Sequence, residues 1–219
     1  MNKKKLFMYL LILWSLLPIF WQLYTSFCTP EALTNNTISA TNHWTLSNYK
    51  QVLFADPPFW QYLLNSTIVG FTSTSLTLLL AIPAAYSLVR IRKSISNLFK
   101  IFLFGAALFP YVLLFLALLE IARSLNLSNN LVALSFPYAA LSMPLAILLL
   151  SSAFRDLPKD LEDAAKMEGL GLFARLRWIF IPLIAPAIGS TSILVFLFSW
   201  NEYPIALTWV SQTNLLTLP

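Results

Sequence analysis

The residues of this sequence that are suited to binding chemistry are concentrated in one short segment, residues 155–177. Ten residues of this segment are charged, while the whole chain has 14 basic and 9 acidic residues. Pro158 suits the first turn of a helix, and Glu162 and Asp163 place negative charge near the positive end of the helix dipole. Gly169 can end the helix in a left-handed conformation. The segment therefore predicts a short charged helix that docks against another molecule.

Two small residues, Ala164 and Ala165, follow the acidic pair directly. Small side chains allow the backbone of a neighbouring element to approach closely, so we predict a docking patch at these two positions. The alternative is a solvated connecting loop whose positive charge reflects its position on the cytoplasmic side of a membrane. That alternative explains Arg175 and Arg177, but it does not explain why acids, alanines and a glycine follow in this order.

No constellation of residues typical of catalysis or of metal binding occurs in the sequence. The five glycines do not form the phosphate-binding pattern GxxxxGK[ST], and neither HExxH nor GxSxG is present. The single cysteine, Cys28, and the single histidine, His43, have no partners at metal-ligand spacing. We therefore predict that the chain is not an enzyme and has no metal site and no cofactor. The energy for any transport must then come from elsewhere.

The elements that position the charged segment are predicted to be membrane-spanning helices. The chain has 219 residues, of which 58% are hydrophobic and 11% charged, and its mean hydropathy is +0.72. Five long runs contain no charged residue, and about 20 residues suffice for a helix to cross the hydrocarbon core. We predict helices over residues 6–27, 62–89, 100–120, 131–154 and 178–200. Prolines within or near the ends of the last four predict bends: Pro83, Pro110, Pro137, Pro144 and Pro186.

The basic residues indicate the orientation of these helices. Twelve of the fourteen form three clusters that alternate with the apolar runs, as expected for cytoplasmic segments, and this pattern argues against binding of nucleic acid. We predict a cytoplasmic N-terminus, an uncleaved first helix, and Pro219 on the outer side. Residues 1–61 then form an N-terminal helix and external segment, and residues 62–219 form the core domain. In the external segment, "TLSNYKQVLF" predicts a short helix with Thr45 or Ser47 near its N-cap, and His43 is predicted to be an exposed loop residue.

The charged segment and the helix after it resemble a known signature. The permease subunits of bacterial ABC importers have Glu-Ala-Ala, three residues, Gly, nine residues, Ile, one residue and Leu-Pro. This chain has Asp163-Ala164-Ala165, then Gly169, Ile179 and Ile181-Pro182 at the same spacing. Asp163 replaces the glutamate, with Glu162 just before it, and Ile181 replaces the leucine. Charge and apolar bulk are kept.

The resemblance implies an all-α, polytopic transmembrane helix bundle of the type I importer kind. In that family the loop is a coupling helix that docks on a cytoplasmic ATPase. The residues carried over to this role are Glu162, Asp163, Ala164, Ala165, Gly169, Ile179, Ile181 and Pro182. The implied partners are a dimer of ABC ATPases, a second permease subunit of different sequence, an extracytoplasmic solute-binding protein and the lipid bilayer of a bacterial inner membrane. The family has six spans where five are visible here, so the sequence is expected to be truncated before the last helix.

Softer matches point to the carbohydrate-uptake branch, of the maltose and glycerol-phosphate type. They are "WTLSNYKQVL", "NSTIVG", "AAYSLVRIR" and "FSWNEYPIAL". In the last of these, Trp200, Asn201, Glu202 and Tyr203 combine aromatic faces with hydrogen-bonding groups, a combination that suits sugars, and we predict that they line the substrate pathway. An interfacial aromatic anchor is the alternative for these four residues. For the whole chain, the alternatives are a membrane scaffold that recruits a cytoplasmic partner without transport and, less favoured, a membrane-embedded enzyme.

Overall fold

The computed structural model describes residues 3–29, 33 and 44–218 of the chain. Within this part the chain is mainly helical, and strand-like pairing is confined to one isolated bridge between Cys28 and Trp44. The helices are α1 (Lys3–Ser26), α2 (Ser47–Leu53), α3 (Phe59–Arg90), α4 (Lys93–Leu108), α5 (Tyr111–Ser124), α6 (Leu131–Arg155), α7 (Lys159–Met167), α8 (Leu172–Leu183), α9 (Ala185–Asn201) and α10 (Pro204–Trp209). The chain divides into two compact units, Met1–Trp60 and Gln61–Pro219.

The first unit contains the long apolar helix α1 and the short helix α2. Helix α1 has 24 residues, and most of its side chains are exposed, as expected for a helix that faces lipid. The Thr45 hydroxyl accepts a hydrogen bond from the backbone N–H of Ser47, the first residue of α2, at 3.0 Å. The N-cap residue is Leu46, which makes no side-chain cap bond, so Thr45 and Ser47 flank the N-cap as predicted. His43 and Pro219 lie outside the described residues.

Two helices of the second unit, α3 and α6, are continuous and long enough to cross a membrane. They have 32 and 25 residues, and they confirm the helices predicted at 62–89 and 131–154. With α1 they make three candidate spans in the described part of the chain, or up to five if each of two bent helix pairs counts as one span. The prediction of a polytopic helix bundle is therefore confirmed.

The helix predicted at 100–120 is present as two helices, α4 and α5, and the bend predicted at Pro110 is confirmed. Helix α4 begins earlier, at Lys93, and meets α5 at an angle of 87°. Phe109 and Pro110 between them have extended backbone. A proline disfavours the helical conformation of the residue before it and has no N–H to donate to the preceding turn. The chain therefore changes direction at Pro110.

The helix predicted at 178–200 is likewise present as two helices, α8 and α9, and the bend predicted at Pro186 is confirmed. Helix α8 begins at Leu172, contains a π-helical segment at Leu176–Phe180, and meets α9 at 82°. Ile184 lies at the bend and is buried. In a straight helix Pro186 would face the carbonyl of Pro182, and it has no N–H to donate to that carbonyl. The short basic segment before the predicted helix is thus part of α8.

Two clusters of buried side chains hold the second unit together. One cluster joins α3, α6, α8 and α9 and includes Tyr86, Leu150 and Phe180. The other joins α3, α5, α6 and α10 and includes Leu134 and Trp209. Where lipid surrounds the helices, such contacts stabilise the bundle by close packing and hydrogen bonding rather than by exclusion of water.

The segment after α10 is tied to the rest of the unit by side-chain hydrogen bonds that the sequence did not reveal. The amide Nδ2 of Asn65 donates to the carbonyl oxygens of Asn214 and Leu216, at 3.0 and 2.8 Å. The Oδ1 atom of Asn129 accepts from the backbone N–H of Ser211 at 2.7 Å. These contacts hold the segment against the beginning of α3 and the turn between α5 and α6.

Candidate functional site

The predicted charged helix is α7, and its C-terminal end has the expected geometry. Gly169 has a φ of +75°, the left-handed conformation that favours glycine. Its N–H donates to the carbonyl of Lys166 at 3.0 Å, and the N–H of Leu170 donates to the carbonyl of Ala165 at 3.1 Å. These two bonds form a Schellman cap. Gly169 therefore ends the helix in the way the sequence predicts.

Helix α7 presents one buried face and one exposed face. Glu162 and Ala165 are buried, whereas Asp163 and Ala164 are exposed and Met167 has 89% of its surface accessible. Of the docking patch predicted at Ala164 and Ala165, the structure leaves only Ala164 exposed, and docking there stays a prediction. Adjacent residues on a helix do not face the same way, so Ala164 alone lies on the outer face.

The buried carboxylate of Glu162 is the centre of a polar cluster that joins three helices. Its Oε1 atom accepts a hydrogen bond from the Tyr86 hydroxyl of α3 at 2.8 Å. Its Oε2 atom forms an ion pair with Arg90, at the end of α3. Lys166 of α7 and Arg175 of α8 lie 3.1 and 3.7 Å from Oε1. One carboxylate thus connects α7 to both α3 and α8.

The charge state of Glu162 follows from these neighbours. Burial opposes ionisation of the carboxylate, but the Tyr86 hydroxyl, Lys166 and Arg90 outweigh it and hold the pKa of Glu162 below its usual range. In the ion pair of Glu162 with Lys166, the hydrogen bond to Glu162 raises the pKa of Lys166. At neutral pH the Glu162 carboxylate is therefore negatively charged and Lys166 is positively charged.

The polar cluster is continuous with the apolar core through Tyr86. The Tyr86 ring stacks on Phe180 of α8, with centroids 5.4 Å apart, and meets the edge of Phe154 of α6 at 5.6 Å. The Arg90 guanidinium lies 5.4 Å from the Tyr86 ring centroid. Tyr86 was not predicted from the sequence as a partner of α7, and the arginines were interpreted only as signs of orientation. The sequence did offer one signal: Tyr86 and Arg90 are four residues apart and therefore lie on the same face of their helix.

The second half of the signature builds α8. Ile179 lies in the π-helical segment and packs against the core cluster, Ile181 is partly buried, and Pro182 is exposed. These three residues lie on α8 and not on α7. Arg175 of α8 connects their helix to Glu162. Their contribution is to set the course of α8 into the bend at Ile184.

The four residues predicted for the substrate pathway lie at the end of α9 and split into two pairs. Asn201 and Glu202 line a cavity of about 460 Å³, together with Tyr111 and Phe198. Trp200 instead stacks on Phe196, with ring centroids 5.3 Å apart, and Tyr203 is exposed. The structure thus brings two of the four to one cavity.

Glu202 is the better-defined member of this pair. Its Oε2 atom accepts hydrogen bonds from the Tyr138 hydroxyl at 3.1 Å and from the Ile205 N–H at 2.9 Å. The residue is only 6% exposed, and its Oε1 atom has no hydrogen-bond partner in the described part of the chain. The carboxylate is therefore held in place through Oε2, while Oε1 is buried without a hydrogen-bond partner among the described residues.

Comparison with known proteins yields a consistent set of matches. Residues 77–218 match the family model described as binding-protein-dependent transport system inner membrane component. The sulfoquinovosyl glycerol transport system permease protein of Agrobacterium fabrum is 39% identical over 211 residues, which cover 96% of this chain and 74% of that protein. The trehalose/maltose transport system permease protein of Thermococcus litoralis is 35% identical and covers 93% of this chain and 73% of that protein.

A third relative and a solved structure agree with these two. The diacetylchitobiose uptake system permease protein DasC of Streptomyces coelicolor is 30% identical, over 92% of this chain and 73% of that protein. A crystal structure of a bacterial ABC transporter involved in the import of the acidic polysaccharide alginate matches with a TM-score of 0.74 and 23% identity. That match covers 97% of this chain and 74% of the solved chain, and it establishes likeness of fold.

Proposed function

We propose that this chain, which belongs to the family of binding-protein-dependent transport system inner membrane components, passes a sugar or sugar-like solute through the membrane and couples to an ATPase through α7. It is a permease subunit of an ABC importer. The scaffold alternative is not favoured, since the relatives are transport permeases. Like them, this chain is a transport subunit and not itself an enzyme.

The proposal of a carbohydrate substrate has two supports. The three relatives are permeases for sulfoquinovosyl glycerol, for trehalose or maltose, and for diacetylchitobiose, which are all glycosides. In this chain, the cavity beside Glu202 combines the aromatic rings of Tyr111 and Phe198 with the polar groups of Asn201 and Glu202. Ring faces of a sugar pack on aromatic side chains, and its hydroxyls donate to a free carboxylate oxygen.

The proposal for coupling rests on the two faces of α7. The exposed face, with Asp163, Ala164 and Met167, docks on a cytoplasmic ATPase that belongs to a dimer. The buried face transmits the movement of α7 through Glu162 to α3 and α8. A second permease subunit, an extracytoplasmic solute-binding protein and a cytoplasmic N-terminus complete the proposed arrangement in a bacterial inner membrane.

The observation that carries the coupling proposal is that one face of α7 is anchored through Glu162 and the opposite face is exposed. The test is copurification of the cognate ATPase with this chain and with its Ala164→Trp variant. Ala164 makes room on the outer face, so a tryptophan there should abolish copurification. Leu79→Trp is the control, because Leu79 is an exposed apolar residue of α3, about three turns before the end of that helix.

Loss of the ATPase with Ala164→Trp but not with Leu79→Trp would support docking at α7. Retention of the ATPase by both variants at native levels would overturn it. Uptake of labelled disaccharide into cells that express the complete transporter separates the two parts of the proposal. A chain that binds the ATPase but carries no carbohydrate would keep the coupling role and refute the substrate class.

A further inference from the structure

A second cavity, of about 610 Å³, lies where four helices of the second unit meet. It is bordered by the end of α3, the beginning of α4, the end of α6 and the first turns of α7. Six basic residues line it: Arg90, Lys93, Lys100, Arg155, Lys159 and Lys166. Only two acidic residues line it, Glu162 and Asp163. The cavity is therefore strongly positive.

Most of this positive charge is not neutralised within the described part of the protein. Arg90 pairs with Glu162, and Lys166 pairs with both Glu162 and Asp163. None of the other four basic residues forms an ion pair with a carboxylate of the described chain: Lys93, Lys100, Arg155 and Lys159. Four like charges around one cavity repel each other, and an anion in the cavity would relieve this repulsion.

Polar contacts hold together the helix ends that border the cavity. The Ser96 hydroxyl, which is buried, donates a hydrogen bond to the carbonyl of Leu88 at 2.8 Å. This bond fastens the first turn of α4 to the last turn of α3. The ion pair of Arg90 with Glu162 fastens α7 to the same end of α3. The basic side chains thus project from a preformed frame.

The position of the cavity indicates the kind of anion. Helices α3 and α6 are the two continuous apolar spans of this unit, and both end at the cavity, at Arg90 and Arg155. Charged residues at the ends of spans lie at the level of the lipid headgroups. Beside Lys100, the α4 residues Ile101 and Phe102 are about 70% exposed. A molecule with an anionic head and long apolar chains matches both surfaces.

We propose that this cavity binds the phosphate of an anionic phospholipid headgroup on the cytoplasmic side of the membrane. The phosphate lies among Lys93, Lys100 and Arg155, and the acyl chains follow the exposed apolar residues of α4. Basic pockets between the cytoplasmic ends of membrane helices are suited to such headgroups. The bound lipid bridges the ends of α4 and α6 next to α7 and stabilises the frame on which α7 is held.

The test is binding of defined lipids to the delipidated full chain in a neutral detergent, measured by native mass spectrometry. The probes are phosphatidylglycerol, phosphatidylcholine and, as a soluble source of the same group, inorganic phosphate. The double variant Lys100→Gln/Arg155→Gln removes two charges from the cavity. The matched control, Lys50→Gln/Arg123→Gln, removes the same two residue types from positions that do not line it.

We expect the native chain and the control to prefer phosphatidylglycerol to phosphatidylcholine. The cavity variant should bind phosphatidylglycerol about 30-fold more weakly, from the usual contribution of two basic residues near anionic lipid. Millimolar inorganic phosphate should not displace the lipid. Lys100→Arg/Arg155→Lys, which keeps both charges, should restore binding and thereby exclude misfolding as the cause.

Three results would overturn the proposal. Equal binding by the cavity variant and the native chain would show that the lipid binds elsewhere. Equal losses in the cavity variant and the control would indicate attraction by net charge alone. Displacement of the lipid by inorganic phosphate would assign the cavity to a soluble phosphate compound instead of a lipid.

Discussion

At the scale of single residues, Glu162 has the largest structural consequence for α7. Its carboxylate is buried among Arg90, Lys166 and Arg175 and accepts the Tyr86 hydrogen bond. Removal of one partner from a buried ion cluster leaves the others without compensation, at a cost of about 3 kcal/mol. We expect Glu162→Ala to lower the thermal unfolding temperature of the detergent-purified protein. Intrinsic tryptophan fluorescence recorded during heating measures this change.

Glu168→Ala is the control for this prediction. Glu168 is an exposed residue directly after α7, and among the described residues it forms no ion pair. Its removal should change the unfolding temperature little, as is usual for exposed charges. Equal unfolding temperatures of the two variants would contradict the structural role of the Glu162 cluster.

The same carboxylate gives the stability a defined dependence on pH. Its folded-state pKa lies below the ordinary value of 4.5, so folding favours the ionised form. The resulting stabilisation is fully present above the unfolded-state value and is lost as pH falls through the lowered folded-state pKa. We expect the unfolding temperature of the native protein to decrease as the pH is lowered below about 4.5. In Glu162→Gln the unfolding temperature should depend less on pH in this range. Parallel curves for both proteins between pH 3 and 7 would rule out Glu162 as the titrating group.

Glu202 makes a separate prediction for transport. Its Oε2 atom is fixed by Tyr138 and Ile205, and its Oε1 atom lacks a hydrogen-bond partner in the described part of the chain. Glu202→Gln replaces one of the two acceptors with a donor and removes the charge that strengthens the bond. We expect the KM of uptake to rise about tenfold or more. Tyr203→Phe, at an exposed position outside the cavity lining, should leave the KM unchanged, and an unchanged KM in Glu202→Gln would remove Glu202 from the pathway.

At the scale of elements, the sequence predicts where helices lie better than where they bend. The charge-free runs locate α3 and α6 to within about three residues of the predicted ends, because hydropathy measures how long a segment stays apolar. Bends depend on what surrounds a proline. Pro83 and Pro144 lie inside continuous helices, whereas Pro110 and Pro186 lie at breaks. Neighbouring helices can satisfy a carbonyl freed by proline, and a single sequence does not reveal those neighbours.

The same limit applies to the candidate site. The order of acids and glycine predicts α7 and its cap, since both follow from local backbone chemistry. The anchor of α7 does not follow from local chemistry, because Tyr86 and Glu162 are 76 residues apart in sequence. Likewise, the alternation of exposed Ala164 and buried Ala165 is set by the core that α7 packs on.

The contact between α3 and α9 offers a prediction at this scale. Gly70 is buried on α3, and a Cβ atom there would lie 2.6 Å from the Phe196 ring of α9. We expect Gly70→Ala to push the two helices apart and to destabilise the protein by about 1–3 kcal/mol, the usual cost of overpacking. Chemical denaturation in detergent micelles measures this loss.

Two variants sharpen the experiment. Gly189→Ala is the matched control, because a Cβ atom at Gly189 has no neighbour within 4 Å and alanine favours a helix. Phe196→Leu in the Gly70→Ala background should recover part of the lost stability by making room. Equal stabilities of the two glycine variants would mean that α3 and α9 are not in close contact at Gly70.

At the scale of the whole molecule, the two candidate sites lie near opposite ends of the same helices. Phe154, which contacts Tyr86 of the Glu162 cluster, and Tyr138, which binds Glu202, are 16 residues apart on α6, or about 24 Å along its axis. Arg175 of α8 and Glu202 after α9 are joined through the bend at Ile184. Two continuous paths, α6 and the α8–α9 pair, therefore connect the Glu162 cluster to the cavity beside Glu202.

This arrangement requires that α7 and the segment after α10 lie on opposite sides of the membrane. The prediction is tested by labelling with a membrane-impermeant maleimide in whole cells, in a Cys28→Ser background that removes the chain's single cysteine. Asp163→Cys and Lys4→Cys should react only after the membrane is permeabilised, because basic clusters mark the cytoplasmic side. Thr213→Cys, at an exposed position, should react in intact cells. Reaction of Thr213→Cys only after permeabilisation would mean that α8 and α9 form a re-entrant loop and not one broken span, and the path from α7 to the cavity would then begin and end on the same side.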